Sequence, residues 1–234
     1  MIAMAGSTTQ EVEDHSSTSP SFSFGEVEAM LAKLHRIDDA KRIAFQGRLK
    51  HFLKLELLPG VKQGRGKAAT FAAIDVATLA LATEVSQFGL LPERVVEMLA
   101  GEARDGEALV VATTLVPILD LYDEADQTAP ERYLIFDPHA WRILTDAPAA
   151  GVVLADAEVA RDVASHSRRL AQINVTMLLR DAVSSLGGDK GRAFLKNLKI
   201  WSERSPQAAI VRQIYEGQAV RIQDLATDLE GPAS

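Results

Sequence analysis

The chain has 234 residues, 47% of them hydrophobic, no cysteine, and 25 Lys+Arg against 32 Asp+Glu, a net charge of −7. Without cysteine there are no disulfides, thiolate nucleophiles or cysteine metal sites, which fits a reducing compartment and an expected cytoplasmic location. The opening MIAMAGSTTQEVEDHSSTSP lacks the basic region and apolar core of a secretory signal, and no run of about 18 apolar residues occurs, so neither export nor a membrane span is expected.

In chain order, residues 1–21 are rich in Ser and Thr and poor in large apolar side chains, which predicts a disordered tail. Phe22 and Phe24 then lead into a short helix around Glu26, and a second helix follows Ile37. In that second helix Phe45, Leu49, Phe52 and Leu53 form one apolar stripe, while Gly47, Arg48, Lys50, His51 and Lys54 share the opposite arc. Gly47 either marks the point where another molecule approaches the backbone or breaks the segment into two short helices. Pro59 and Gly60 are expected to stop the helix, and QGRGKAA over 63–69 reads as a glycine turn exposing Arg65 and Lys67.

A further helix is expected from Ile74 to Gly89, the latter as its terminating glycine, followed by a helix opened by Pro92. From Glu107 the texture becomes β-branched and aromatic. ALVVATTLVPIL, RYLIF, WRILT and GVVLA read as short strands, with Tyr133, Phe136 and Trp141 as sheet core or as the lining of a ligand pocket. Residues 155–186 read as one long helix with Leu170, Ile173, Val175, Leu178, Leu179 and Val183 on its apolar side, ended by Gly187 and Gly188. Two shorter helices broken at Pro206 complete the chain. The first carries Lys190, Arg192, Lys196 and Lys199 beside Phe194, Leu198 and Trp201, either as a second basic contact or as an amphipathic helix packing its aromatic side.

Charge is distributed unevenly. Between Lys33 and Lys67 there are ten Lys/Arg and three acids, whereas between Glu93 and Glu131 there are ten acids and two arginines. A positive end of this kind steers polyanions toward itself. Candidate hydrolytic groups, Asp137 and His139 with Ser165, His166 and Ser167, have no spacing that forms a nucleophile elbow or a metal pair, and no enzymatic activity is expected. GGDKGR at 187–192 lacks the spacing of a phosphate loop.

The order FSFGEVEAML, RLKHFLKLELLPG, GRGKAATFAAIDVATLAL, EVSQFGLLPERVVEML resembles the MerR-type helix-turn-helix domain over about residues 22–100. Phe24, Gly25, Glu26 and Val27 match the family's entry helix. Leu49, Lys50, His51 and Phe52 match the basic-aromatic part of its recognition helix, and Glu56, Leu57, Leu58 and Pro59 occupy its Gly-Leu-Leu-Pro end. Phe71, Asp75 and Val76 match the aromatic and helix start after the wing, and Gly89 and Glu93 the second turn. The chain departs from the pattern in three places. The connection after Val27 is longer, Lys50 stands for an arginine, and Ala69 replaces the wing arginine. The cysteine ligands of metal-sensing members have no counterpart, and no cofactor is expected.

The resemblance implies a mainly helical winged helix-turn-helix domain (22–104); with the composition of the rest, the chain is expected to be α+β, with a tail (1–21), an α+β dimerisation or partner-binding domain (105–228) and a frayed end (229–234). It implies binding of double-stranded DNA through Arg48, Lys50, His51 and Lys54 on the helix and Lys62, Arg65 and Lys67 in the wing. The leading expectation is a sequence-specific regulator of transcription acting as a homodimer through the long helix. Two other readings stand beside it: a phage or mobile-element DNA-binding protein, excisionase-like or a small packaging subunit with a phage-type partner, and a protein-interaction adaptor without DNA.

Overall fold

The computed structural model describes residues 21–61, 68–100, 109–122, 129–138, 153–166 and 170–213. The tail 1–21, apart from Ser21, the expected strand WRILT and the end after residue 213 lie outside these.

Strand β1 (Phe22–Ser23) leads directly into helix α1 (Phe24–Leu34). The junction is a capping box: the Glu26 backbone N–H donates to Ser23 Oγ, and the Glu26 carboxylate accepts from the Ser23 N–H at 2.9 Å. Helix α1 closes in a Schellman turn, with Arg36 N–H on Lys33 O and Ile37 N–H on Ala32 O. Arg36, at φ +51, holds the left-handed position that glycine normally takes. A single 3-10 turn (Asp39–Lys41) then feeds α2 (Arg42–Lys54), which runs unbroken through Gly47.

Helix α2 stops at Lys54, ahead of Pro59. Its end is a second Schellman turn, with Glu56 N–H on Leu53 O and Leu57 N–H on Phe52 O, both 3.2 Å, and Glu56 at φ +58. Leu57 and Phe52 are both buried in the main core, and the turn terminates the helix before the proline is reached.

Strand β2 (Thr70–Phe71) pairs antiparallel with β1, Phe22 opposite Phe71. Helix α3 (Ala73–Ser86) follows, and eleven of its residues are buried, as expected of an Ala- and Leu-rich helix covered on all sides. Gly89, at φ +81, turns the chain into α4 (Pro92–Ala100).

From Leu109 on, the run ALVVATTLVPIL is helical, α5 (Leu109–Asp120), and not a strand. Its run of apolar residues reflects burial on two sides: Val111, Leu115 and Leu119 join the main core, while Ala112 and Val116 pack on Ala208 and Val211. Periodicity alone does not separate a helix of that kind from a buried strand. Strand β3 (Arg132–Phe136) is the centre of a three-stranded antiparallel sheet ordered β4-β3-β5, with β4 spanning Val153–Asp156 and β5 Ala171–Asn174. Leu134 lies opposite Leu154 on one side and Ile173 on the other.

The expected long helix over 155–186 is three elements: α6 (Ala157–His166), β5 and α7 (Val175–Leu186). Ala171 and Ile173 are buried while Gln172 is exposed, a period of two that a helical count overruns, and Asn174 caps α7 by accepting from Met177 N–H. The apolar side assigned to dimerisation is used internally, since Val175, Leu179 and Ala182 sit in the core with α3 and Phe194.

Helix α8 (Gly188–Arg204) crosses close to α7 at Gly191, where an added Cβ would lie 2.5 Å from Val183 O. Residues 206–213 are helical, after a break at Ser205 whose hydroxyl accepts from Ala208 N–H. The core is continuous across the boundary expected at 104/105: Phe22, Leu31, Phe52, Val76, Leu115, Leu134, Leu179 and Phe194 belong to one cluster. The architecture is α+β, with helices predominant and a small antiparallel sheet. Among the described residues no helix is long and apolar enough to cross a membrane.

Candidate nucleic-acid interface

Helix α2 is held at both ends and along one side, so its outer face is a fixed surface. At its start the Arg42 guanidinium makes a two-point bond to the buried Glu28 of α1, Nε to Oε1 and Nη2 to Oε2, each 2.7 Å. That hydrogen bonding to Glu28 also raises the Arg42 pKa above its ordinary value. Along the inner side Phe45, Leu49 and Phe52 are buried. Near the end His51 Nε2 lies 3.0 Å from Glu93 Oε1 on α4, and this hydrogen bond holds the Glu93 carboxyl below the usual range. The C-terminal Schellman turn completes the frame.

Of the predicted residues, the structure brings Arg48, Lys50, His51 and Lys54 onto one side of α2. Arg48 and Lys54 are exposed and, among the described residues, have no hydrogen-bond or ion-pair partner. Lys50 Nζ rests 5.8 Å from the centre of the Phe24 ring, a placement that leaves its three donors free for an anion. His51 is half-buried and engaged with Glu93, so it steadies the face more than it offers a contact. Lys62, Arg65 and Lys67 lie outside the described residues.

Three further residues belong to this surface. Arg36 and Lys41, both exposed and unpaired among the described residues, join Arg48 around an open cleft of about 340 Å³ with Ala44 and Ile37 in its wall. Its one acid, Asp38, is occupied in capping the 3-10 turn, accepting from Ala40 N–H at 2.8 Å. Arg36 keeps its left-handed φ although residues bearing a Cβ avoid it at a cost of roughly 1–2 kcal/mol. Ile43 is 85% exposed. The helical step of about 100° per residue sets Ile43, Lys50 and Lys54 along one margin of the face and Arg48 along the other, with Gly47, Ala44 and His51 between them, while Lys41 lies in the 3-10 turn just ahead of α2. Ile43 had a signal in the sequence, since it falls opposite the Phe45–Phe52 stripe. Arg36 and Lys41 had none, because their position depends on how α1 ends.

Gly47 is exposed, and a Cβ there would meet nothing within 4 Å. No packing inside the molecule calls for glycine at a site where it costs about 0.5–1 kcal/mol relative to alanine. The arrangement is therefore a helix of about 20 Å whose middle is bare at Gly47 and carries His51 one turn on, with cationic residues along both margins.

In the other basic stripe three of the four cations are engaged, and Lys196 is exposed. Lys190 Nζ donates to Glu26 at 2.6 Å, Arg192 pairs with Asp189, and Lys199 Nζ lies 5.3 Å over the Tyr122 ring, while Phe194 and Leu198 are fully buried. The Lys190 bond, with those from Ser23, lowers the Glu26 pKa to about 2. A larger cleft of about 480 Å³ between α5, α7 and α8 has Arg180 and Arg192 at its edge, but Arg180 already donates to Met177 Sδ and Arg192 to Asp189. Ser165 donates to Asp162 O, and His139 and Ser167 lie outside the described residues. No group of three or more His, Asp or Glu able to hold a metal occurs among the described residues.

Comparisons of the chain with protein-family models, with curated proteins and with solved structures give no match in any of the three.

Proposed function

We propose that the chain is a sequence-specific DNA-binding regulator of transcription, built at its N-terminal end as a winged helix-turn-helix of MerR type, that lays α2 in the major groove. The observation carrying this reading is the cationic face of α2 and the turn before it, with Lys50 and Lys54 on one side, Arg48 and Lys41 on the other, and Gly47 bare between them. A helix in the major groove meets phosphates on both flanks and base edges along its middle, and this face has that order. The pairing of β1 with β2 supports a wing, since it fixes the chain just beyond Lys62, Arg65 and Lys67. Glu56 supports the recognition-helix end, because its left-handed φ is the one glycine would supply in the resembled Gly-Leu-Leu-Pro stretch. A homodimer in the cytoplasm, reading two half-sites, belongs to the same proposal.

Selection of bound duplexes from a random pool tests it. The expected product is a recurring site, bound by the chain and lost when Arg48, Lys50 and Lys54 are all replaced by alanine. Absence of enrichment, or equal binding by the triple variant, refutes the assignment. Enrichment confined in cells to attachment or packaging sites instead of promoters would favour a mobile-element role.

A further inference from the structure

The α2 face contains one large side chain that is neither charged nor buried, Ile43 at 85% exposure. It stands in the first turn, one helical turn from Gly47, with exposed Ala44 beside it. Lys50 and Lys54 follow it on the same side of the helix, two and three turns further along, and Asp39 lies one turn before it. An apolar protein partner is a poor match, because a protein interface buries a broad apolar centre and disfavours lysine there. Here a single isoleucine stands among the small residues Ala44 and Gly47, on the same side of the helix as Lys50 and Lys54.

The surroundings call for a polyanion that also displays an apolar group at its recognition surface. In the major groove only the thymine 5-methyl group answers that description. Residues in the first turns of a groove-bound helix are the ones that meet base edges. With no side chain at Gly47 and a methyl at Ala44, the helix axis can approach closely enough for Ile43 to touch a base. We infer that Ile43 reads thymine through its methyl group and is a specificity-determining residue of this face. The inference rests on the DNA reading proposed above.

The probe is the duplex selected from the random pool, prepared with each thymine in turn replaced by deoxyuridine, which removes the methyl and nothing else. By fluorescence anisotropy the unaltered chain should lose about fourfold in affinity at one or two positions, the worth of one buried methyl. Ile43→Ala should bind thymine and deoxyuridine duplexes equally at those positions, with an unchanged salt slope, and Ile43→Val should retain part of the discrimination. Equal binding of all duplexes by the unaltered chain overturns the inference while leaving DNA binding intact, as does discrimination that persists in Ile43→Ala. A change in sedimentation of the free protein on Ile43→Ala overturns it too, by placing the side chain in an interface between copies. If no duplex binds, the DNA reading fails and this inference with it.

Discussion

Replacing Glu56 by glycine should make the protein more stable. Glu56 holds φ +58 at the end of α2, where the Schellman bonds from Glu56 and Leu57 N–H to Leu53 and Phe52 O leave it no other conformation. A residue with a Cβ loses roughly 1–2 kcal/mol in that region. Glycine escapes that loss but gives up roughly 0.5–1 kcal/mol of extra freedom in the unfolded chain. The net expectation is a gain of about 0.5–1 kcal/mol, seen as a higher urea midpoint at unchanged m and a rise in Tm of about 1–4 °C for a chain of this size. Glu56→Ala and Glu56→Gln keep the Cβ and should show no such gain. All three variants remove a carboxylate two residues from Lys54, so all three should bind duplex somewhat more tightly. That common effect separates charge from backbone strain. A Glu56→Gly protein no more stable than Glu56→Ala would refute the strain argument.

Gly191→Ala should destabilise by about 1–3 kcal/mol, since its Cβ meets the Val183 carbonyl at 2.5 Å and backbone on both helices must shift. Gly47→Ala, which meets nothing, should instead raise thermal stability slightly while weakening duplex binding, and a loss of stability there would show that the fold needs that glycine. Glu26, at about 2 in the fold against an ordinary 4.5, binds its proton more weakly folded than unfolded. Its contribution is therefore complete above about pH 4.5 and is lost as the pH falls toward 2. The drop in urea midpoint between pH 6 and pH 3 should be smaller in Glu26→Gln than in the unaltered chain, and equal drops would contradict the Lys190 pairing.

The parts of the fold that were legible in sequence are those set by local chemistry. Phe22 and Phe24 lead into the helix around Glu26, Phe45, Leu49 and Phe52 mark the inner side of α2, and Pro92 opens α4. The misread parts depend on what packs against them. Helix α5 looks like a strand because both of its sides are covered, one by the main core and the other by residues 206–213. Strand β5 disappears into a helical count because only four residues separate Leu170 from α7, too few to establish a period of two. For the candidate site, Arg48, Lys50 and Lys54 followed from periodicity. Arg36 and Lys41 reach the same surface only through the left-handed end of α1 and the 3-10 turn, a geometry that residue spacing does not announce. The engagement of His51 with Glu93 requires α4 to fold back on α2, which no local pattern encodes.

The central claim is that the outer face of α2 binds DNA by neutralising phosphates along both margins. A salt titration of binding to the selected duplex tests it most directly. With Arg36, Lys41, Arg48, Lys50 and Lys54 each meeting a phosphate, log K should fall against log salt with a slope of about −4 to −5, and replacing Arg48, Lys50 and Lys54 by alanine should reduce its magnitude by about 3. A slope near zero, or one that is the same in both proteins, would contradict the account.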